Sequence, residues 1–274
     1  MESEKQLPLS GRPEETSESK PSYFELQAYV GTTKHMGGAK TTKTLAELCQ
    51  IHKDTYVLDV GCGVGATASH LVKTYSCQVV GVDIREAMIA RANERAQKEG
   101  VENQIEFRIA DAKDLPFVDA LFDAVICESV ATFVEDKQRL VNECARVTRL
   151  GGYVGLNEEI WIQTPSAQMV EYAKRTWAIQ SDIPTADDWV RILGIAGLRD
   201  ITVKTYEFSA RREATQLKRY HLSDIFRMLY RTLLLYVKNP AFREYMRERR
   251  KIPRDLFSHL GYGIFVGRRQ KITR

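Results

Sequence analysis

The chain has 274 residues, 40 Lys and Arg against 36 Asp and Glu for a formal charge of +4, and 43% hydrophobic residues. This length fits one large α/β domain with insertions, or a domain with a small cap. The mild, interleaved charge makes no case for nucleic acid as a partner. No stretch reaches the 18 uninterrupted apolar residues of a membrane span, and the N-terminus lacks a hydrophobic signal core.

Residues 1–20 are rich in Glu, Ser, Lys, Pro and Gly with almost nothing apolar, and they read as a disordered tail. Order is expected from Pro21, where Tyr23, Phe24, Leu26, Tyr29 and Val30 begin a helical lid segment over 21–55. Within it, Gly31 to Gly38 reads as a flexible loop holding His35, Met36 and the pair Gly37-Gly38. A helix from Thr41 to Ile51 is expected next. His35 is either a ligand-facing group or an incidental residue of an exposed turn.

From Tyr56 onward strands and helices alternate, which predicts a parallel sheet covered on both faces over residues 56–206. Val57 to Val60 is an apolar run ending in Gly61-Cys62-Gly63-Val64-Gly65, a buried strand stopping in a tight loop before a helix. The glycines alone also fit an ordinary βα turn. Asp59, inside that strand, would repel a pyrophosphate and attract an α-amino group, and the third glycine of a dinucleotide fingerprint is missing. A second strand, Gln78 to Asp83, ends in an acid about 20 residues on, where a carboxylate can accept both ribose hydroxyls. A third, Ile105 to Ile109, leads into Asp111 and Ala112, where a carboxylate can take an adenine amino group.

Further along, Arg85–Lys98 reads as a helix capped at Gly100, and Asp136–Arg149 as another with Asp136 as N-cap and Gly151 just beyond it. A fifth strand is expected over Gly152–Trp161, with Asn157, Glu158 and Glu159 near the ligand edge of the sheet. Helices follow from Ser166 to Ile179 and from a Thr185 cap, then strands at Ile201–Tyr206 and Gly263–Gly267. Between those strands, residues 207–262 form an insertion with Leu222, Ile225, Phe226, Met228, Leu229, Leu233, Leu234 and Tyr236. It reads as a packed helical cap over an acceptor site, before the last core strand and tail at 263–274. The basic run Arg243, Arg247, Arg249, Arg250, Lys251 and Arg254 is either a solvated helix face or a contact for a phosphate group or an anionic membrane surface. The five cysteines are odd in number and form no C-x-x-C pair, as expected of reduced thiols in a cytoplasmic protein.

In order and spacing, the glycine corner, Asp59, Asp83, Asp111, Leu115-Pro116-Phe117, Phe122 to Ile126 and Leu150-Gly151-Gly152 resemble the class I S-adenosylmethionine (SAM) dependent methyltransferases. The resemblance covers roughly residues 25–210 and the final strand. It implies a Rossmann-like α/β fold, with a mostly parallel seven-stranded sheet, helices on both faces and a cap inserted before the last strand. It implies SAM as cofactor: Gly61, Gly63 and Gly65 against the methionine part, Asp59 near its ammonium, Asp83 on the ribose, Ile84 as an apolar wall to the base, and Asp111 with Ala112 at the adenine. No metal is needed for in-line methyl transfer. Where the acceptor must lose a proton, the candidate bases are His35, Glu128, Glu158 and Tyr29.

The layout is similar to phosphoethanolamine, sterol and quinone methyltransferases, through the Gly-Gly loop and the ending near Gly261-Tyr262-Gly263. The histidine that the phosphoethanolamine enzymes carry after the fourth strand corresponds to Phe133, which turns the expectation toward a small apolar or amphipathic acceptor such as a lipid, sterol or quinone. A phosphobase or amine N-methyltransferase, a non-catalytic SAM-binding module and a nicotinamide-dependent oxidoreductase remain alternatives. An oligomer is compatible with the sequence.

Overall fold

A computed structural model describes residues 35–177, 181–208, 222–248, 253 and 255–270. Its centre is β1 (Tyr56–Val60), whose Val57, Leu58 and Val60 are wholly buried because parallel neighbours flank it on both sides. Strands β2 (Gln78–Asp83), β3 (Ile105–Ile109), β4 (Phe122–Glu128), β5 (Thr148–Trp161), β6 (Leu198–Glu207) and β7 (Leu260–Arg269) complete one seven-stranded sheet, in the order β3-β2-β1-β4-β5-β7-β6. Only β7 runs antiparallel, wedged between β5 and β6.

Alternation along the strands sorts the apolar side chains onto two faces. Leu58, Val60, Val125, Cys127, Val154 and Leu156 meet Leu140, Val141 and Cys144 of α4 (Lys137–Val147) and Trp189 and Leu193 of α6 (Ala186–Ile195). On the other face Val57, Val79, Ala124, Ile126 and Ile264 meet Leu45, Ala46 and Cys49 at α1 (Gly38–Leu48) and Ala68, Leu71 and Val72 of α2 (Ala66–Tyr75). Each fully buried Leu or Val contributes about 1.5–3 kcal/mol, so these layers dominate the stability. Helix α3 (Glu86–Glu99) ends on Gly100 in the left-handed region, as its sequence predicts. Thr185 and Asp188 form a reciprocal capping box at the start of α6.

The structure moves several boundaries. Helix α1 begins at Gly38 and ends at Leu48, earlier than Thr41–Ile51. Gly37-Gly38 is therefore not a free loop: Gly37 has φ +73°, and a Cβ on it would stand 2.2 Å from Thr41 Cγ2 and 2.9 Å from Tyr262. Helix α4 stops at Val147, not Arg149, because Thr148 returns its hydroxyl to the Cys144 carbonyl and pairs with Phe122 as the first residue of β5. Gly151, expected as a helix stop, lies inside β5 at φ +83°. Strand β7 starts three residues before Gly263.

Helix α5 (Ala167–Trp177) follows β5. Within the insertion lie α7 (Leu222–Lys238), α8 (Pro240–Glu248) and the short α9 (Leu256–His259). Asn239 punctuates α7 and α8, its side chain accepting from the Phe242 amide, and Pro240 opens α8 where a missing N–H costs nothing. The expected packing of this insertion is not met at Leu229, Leu233 and Tyr236, which face solvent. Residues 1–34, including Tyr29 and the expected tail, lie outside the described residues.

Candidate cofactor and acceptor site

The strand order reverses between β1 and β4, and in open α/β sheets the crevice beyond the carboxyl ends at such a point receives the ligand. Three elements converge there: the Gly61–Gly65 loop, the turn after β4, and the 35–37 segment before α1. Gly61 and Cys62 donate to the Val82 carbonyl at 2.7 and 2.9 Å, which turns the chain off β1. Gly61, Gly63 and Gly65 all have positive φ, and a Cβ on Gly61 would lie 2.3 Å from Val130. The loop can pass so close to the β4 turn only because that position carries no side chain.

Three acids line the crevice. Asp83 accepts the Gly63 amide at 3.1 Å on one oxygen and the Arg85 amide at 2.9 Å on the other, so the end of β2 holds the glycine loop in place. Asp59 is 2% exposed, accepts the Ala68 amide in the first turn of α2, and leaves Oδ2 with no partner. Burial, reinforced by the negative charges of Glu128 and Asp83, pushes its carboxyl well above the usual range. Glu128, at the end of β4, accepts Thr42 Oγ1 at 3.1 and 3.2 Å, Thr67 Oγ1 at 3.0 Å and Asn157 Nδ2 at 3.2 Å. His35 Nε2 stands 3.9 Å from Glu128 and 3.0 Å from Thr42 Oγ1. Asn157 Nδ2 also donates to the Met36 carbonyl, and the Met36 amide donates to Ser129 Oγ, so the 35–37 segment is fastened over the ends of β4 and β5.

Farther out, Asp111 is part-exposed and accepts the Lys113 amide in a tight turn, with Ala112 half-buried beside it. Ile84, directly after Asp83, is 58% exposed at the rim of the crevice.

On the β5 side, Glu158 is fully buried. Its oxygens accept the amides of Val130, Ala131 and Thr132, fixing the turn after β4. Thr132 Oγ1 lies 2.9 Å from Glu158 Oε2 and 2.6 Å from Glu159 Oε2. The Thr132 hydroxyl thus lies between two carboxyl groups in a buried setting. Burial, with Glu159 as a like-charged neighbour, accordingly pushes Glu158 up to about 7, and burial also raises Glu159. Lys137, buried at the start of α4, donates to the Val134 carbonyl and Ser181 Oγ, and burial lowers its ammonium.

Asn157 lies at the ligand edge of the sheet, as its place in the fifth strand predicts, whereas Thr42, Thr67, Thr132 and Lys137 were not picked out as site residues by the sequence. Phe107 is a further omission: it packs where Cβ atoms on Gly65 and Gly81 would lie, shaping the loop from behind.

The arrangement defines a class. Asp59, Asp83 and Glu128 place buried carboxylates beside a glycine loop, and the orphan Asp59 oxygen calls for a cationic donor. Such a crevice suits a nucleoside bearing a positive charge, and it is hostile to a diphosphate.

Comparison with known proteins agrees. A methyltransferase domain family matches residues 58–156. An uncharacterised protein of Haemophilus influenzae is 30% identical over 177 residues, covering 64% of this chain and 70% of that one. The 27-O-demethylrifamycin SV methyltransferase of Amycolatopsis mediterranei is 32% identical over 127 residues, 46% of this chain and 47% of that enzyme, so the match spans about half of that relative. A phosphoethanolamine N-methyltransferase 2 of Haemonchus contortus, solved with phosphomonomethylethanolamine and S-adenosylhomocysteine, superposes with TM-score 0.70 at 20% identity, over 90% of this chain and 58% of that one. That likeness shows the fold. Residues 58–156 belong to the methyltransferase domain family, the fold is the Rossmann-like class I fold, and the cofactor is SAM.

Proposed function

We propose that the protein transfers the methyl group of SAM to a small apolar or amphipathic acceptor of lipid, sterol or quinone character. The observation that carries the acceptor class is an apolar cluster on the carboxyl edge of the sheet. Trp161 at the end of β5, Leu260 opposite it on β7, Met169 and Tyr172 of α5, Ile183 and Leu256 pack together, and Phe133 from the turn after β4 joins them. Phe133 is the position where the phosphobase pattern would call for a histidine, and its aromatic ring there suits a hydrocarbon better than a phosphate.

In this reading Gly61, Gly63, Gly65 and Asp59 hold the methionine end of SAM, Asp83 the ribose, Ile84 and Ala112 the faces around the base, and Asp111 its amino group. When bound, SAM supplies a methyl carbon activated by a sulfonium for in-line displacement. The chain's own part is alignment and exclusion of water. The 35–37 segment, hydrogen-bonded to Ser129 and Asn157, supports that role as the cover nearest Glu128.

His35, 3.9 Å from Glu128, is the candidate best placed to take a proton from an acceptor hydroxyl or ring carbon, with Glu128 stabilising the imidazolium. Glu158 is engaged by three backbone amides and a hydroxyl, which supports a positioning role under the β4 turn in place of a base. Tyr29 lies outside the described residues.

The test is transfer of radiolabelled methyl from SAM to a panel of sterols, quinols, amino lipids and phosphoethanolamine. Label entering the apolar members is the expected result. Label entering phosphoethanolamine alone would replace this reading with the phosphobase one. Tight S-adenosylhomocysteine binding without transfer to any member would favour a non-catalytic SAM-binding module.

A further inference from the structure

The C-terminal half of α7 presents a row of apolar side chains to solvent. Leu229, Tyr230, Leu233 and Val237 are each more than 60% exposed and Tyr236 is 46% exposed. At about 100° per residue these five positions fall within an arc of roughly 120° on one side of the helix. Thr232, Leu234 and Leu235, outside that arc, are part-buried. Met246 of α8 adds a sixth exposed apolar group. A water-facing protein surface does not normally leave so continuous a stripe open.

Charge tells what covers it. Residues 209–254 hold 13 Lys and Arg against four Asp and Glu, while the other 228 residues hold 27 against 32. The net positive charge of the chain is therefore concentrated in the insertion that bears the stripe, and the rest of the molecule is net acidic. Lys238, at the end of α7, and Arg247 of α8 are exposed. Arg243 donates to the Tyr236 and Val237 carbonyls, which tethers α8 against the end of α7. Pairing two copies through this face would bring two strongly basic segments together, an arrangement opposed by electrostatic repulsion. An anionic lipid surface satisfies both properties at once, taking the apolar arc into the acyl boundary and the cations among the headgroups. Among the described residues no helix is long and apolar enough to cross a membrane, so the contact is peripheral.

We propose that α7, with α8 beside it, docks the protein reversibly on an anionic lipid bilayer through Leu229, Tyr230, Leu233 and Val237. The proposal stands on this surface alone and does not depend on which acceptor is methylated.

It is tested with the full chain in a flotation assay, on vesicles of phosphatidylcholine containing about one third phosphatidylserine and on phosphatidylcholine alone. The protein should float with the anionic vesicles, at least tenfold more than with the neutral ones, and less as salt rises. The double variant Leu229→Glu/Leu233→Glu should lose at least tenfold of this binding while keeping wild-type S-adenosylhomocysteine affinity by calorimetry, which shows it is folded. Lys238→Glu/Arg247→Glu should weaken binding several-fold and flatten its salt dependence. Failure of the folded protein to float with anionic vesicles overturns the proposal, as does binding unchanged in the Leu variant. Self-association in solution, abolished by the Leu variant in a protein that ignores vesicles, would assign the stripe to a second copy of the chain.

Discussion

Around β1 and β2 the molecule buries its charges, whereas along α7 it exposes its hydrocarbon. Asp59 and Glu128 lie almost out of solvent within a shell of threonine, asparagine and amide donors, while Leu229 and Leu233 stand open on a helix. Both arrangements cost free energy in the isolated chain, in opposite ways. A desolvated carboxylate without a counter-ion is unfavourable, and so is apolar surface in water. Each cost is relieved by a partner of the complementary kind: a cation in the crevice, and an apolar, anionic boundary at the helix. The first region is rigid and encoded in backbone contacts. The second is encoded only in composition and helical period.

The largest effect should come from breaking the rigid region at its tightest point. Gly61→Ala forces a side chain onto φ +72° and into Val130. Left-handed strain of about 1–2 kcal/mol and overpacking of about 1–3 kcal/mol add up to a melting temperature lower by roughly 5–10 °C. Calorimetry should find S-adenosylhomocysteine binding reduced by at least 100-fold. A variant that binds normally would show that the glycine loop does not seat the cofactor.

The Glu158–Glu159 pair gives the next effect, through pH. Both groups are raised by the fold, Glu158 to about 7, so between about pH 4.5 and 7 the native state binds more protons than the unfolded one. The stability contributed by the pair is present at the acid side of that window and is lost as pH rises through it, by about 1–3 kcal/mol. Thermal melts from pH 5 to 8 should therefore fall with pH, and Glu159→Gln should flatten the slope by removing the like-charged neighbour. A slope equally steep in the variant would mean that another group, such as Asp59, carries it.

Much of this region was legible in the sequence, because its demands fall on single residues. The glycines of the β1 corner and the Thr185 cap each answer a local backbone requirement that a spacing rule detects. Apolar runs marked most of the strands, the seven-stranded sheet was what the family resemblance implied, and Gly100 takes the left-handed conformation expected after a helix. What could not be read depends on chain segments that meet only in the fold. Thr42 reaches Glu128 across 86 residues, and Glu158 gathers the 130–132 amides from 26 to 28 residues away. The end of α4 was missed because the pairing of Thr148 with Phe122, which starts β5, is made only in the fold.

Asp59 allows a sharper distinction between a structural and a ligand-facing acid. If its role were to cap α2, Asp59→Asn would keep an acceptor for the Ala68 amide and change little. Because the carboxyl is buried with an orphan oxygen, the neutral variant should melt within about 2 °C of the wild type, or slightly above it, without ligand. Its S-adenosylhomocysteine affinity should nevertheless fall about tenfold, the order expected for one lost charge-assisted contact. A cation in the crevice favours the ionised carboxylate, so wild-type binding should release a proton and strengthen as pH rises toward the raised pKa, while binding by the variant should be flatter. Equal pH dependence in the two proteins would remove Asp59 from the ammonium site.

The smallest effect belongs to the exposed helix, and its smallness is what distinguishes the two regions. Leu233→Ser deletes a large apolar side chain, a change that in the core, as at Leu58, would cost about 2–5 kcal/mol. At a solvent-facing helical site only the difference in helix propensity remains, a few tenths of a kcal/mol. The melting temperature in vesicle-free buffer should therefore move by less than about 2 °C, with S-adenosylhomocysteine binding unchanged. A fall comparable to that of a core Leu would place Leu233 under a chain segment, and the stripe would then be internal packing instead of a surface awaiting a lipid bilayer.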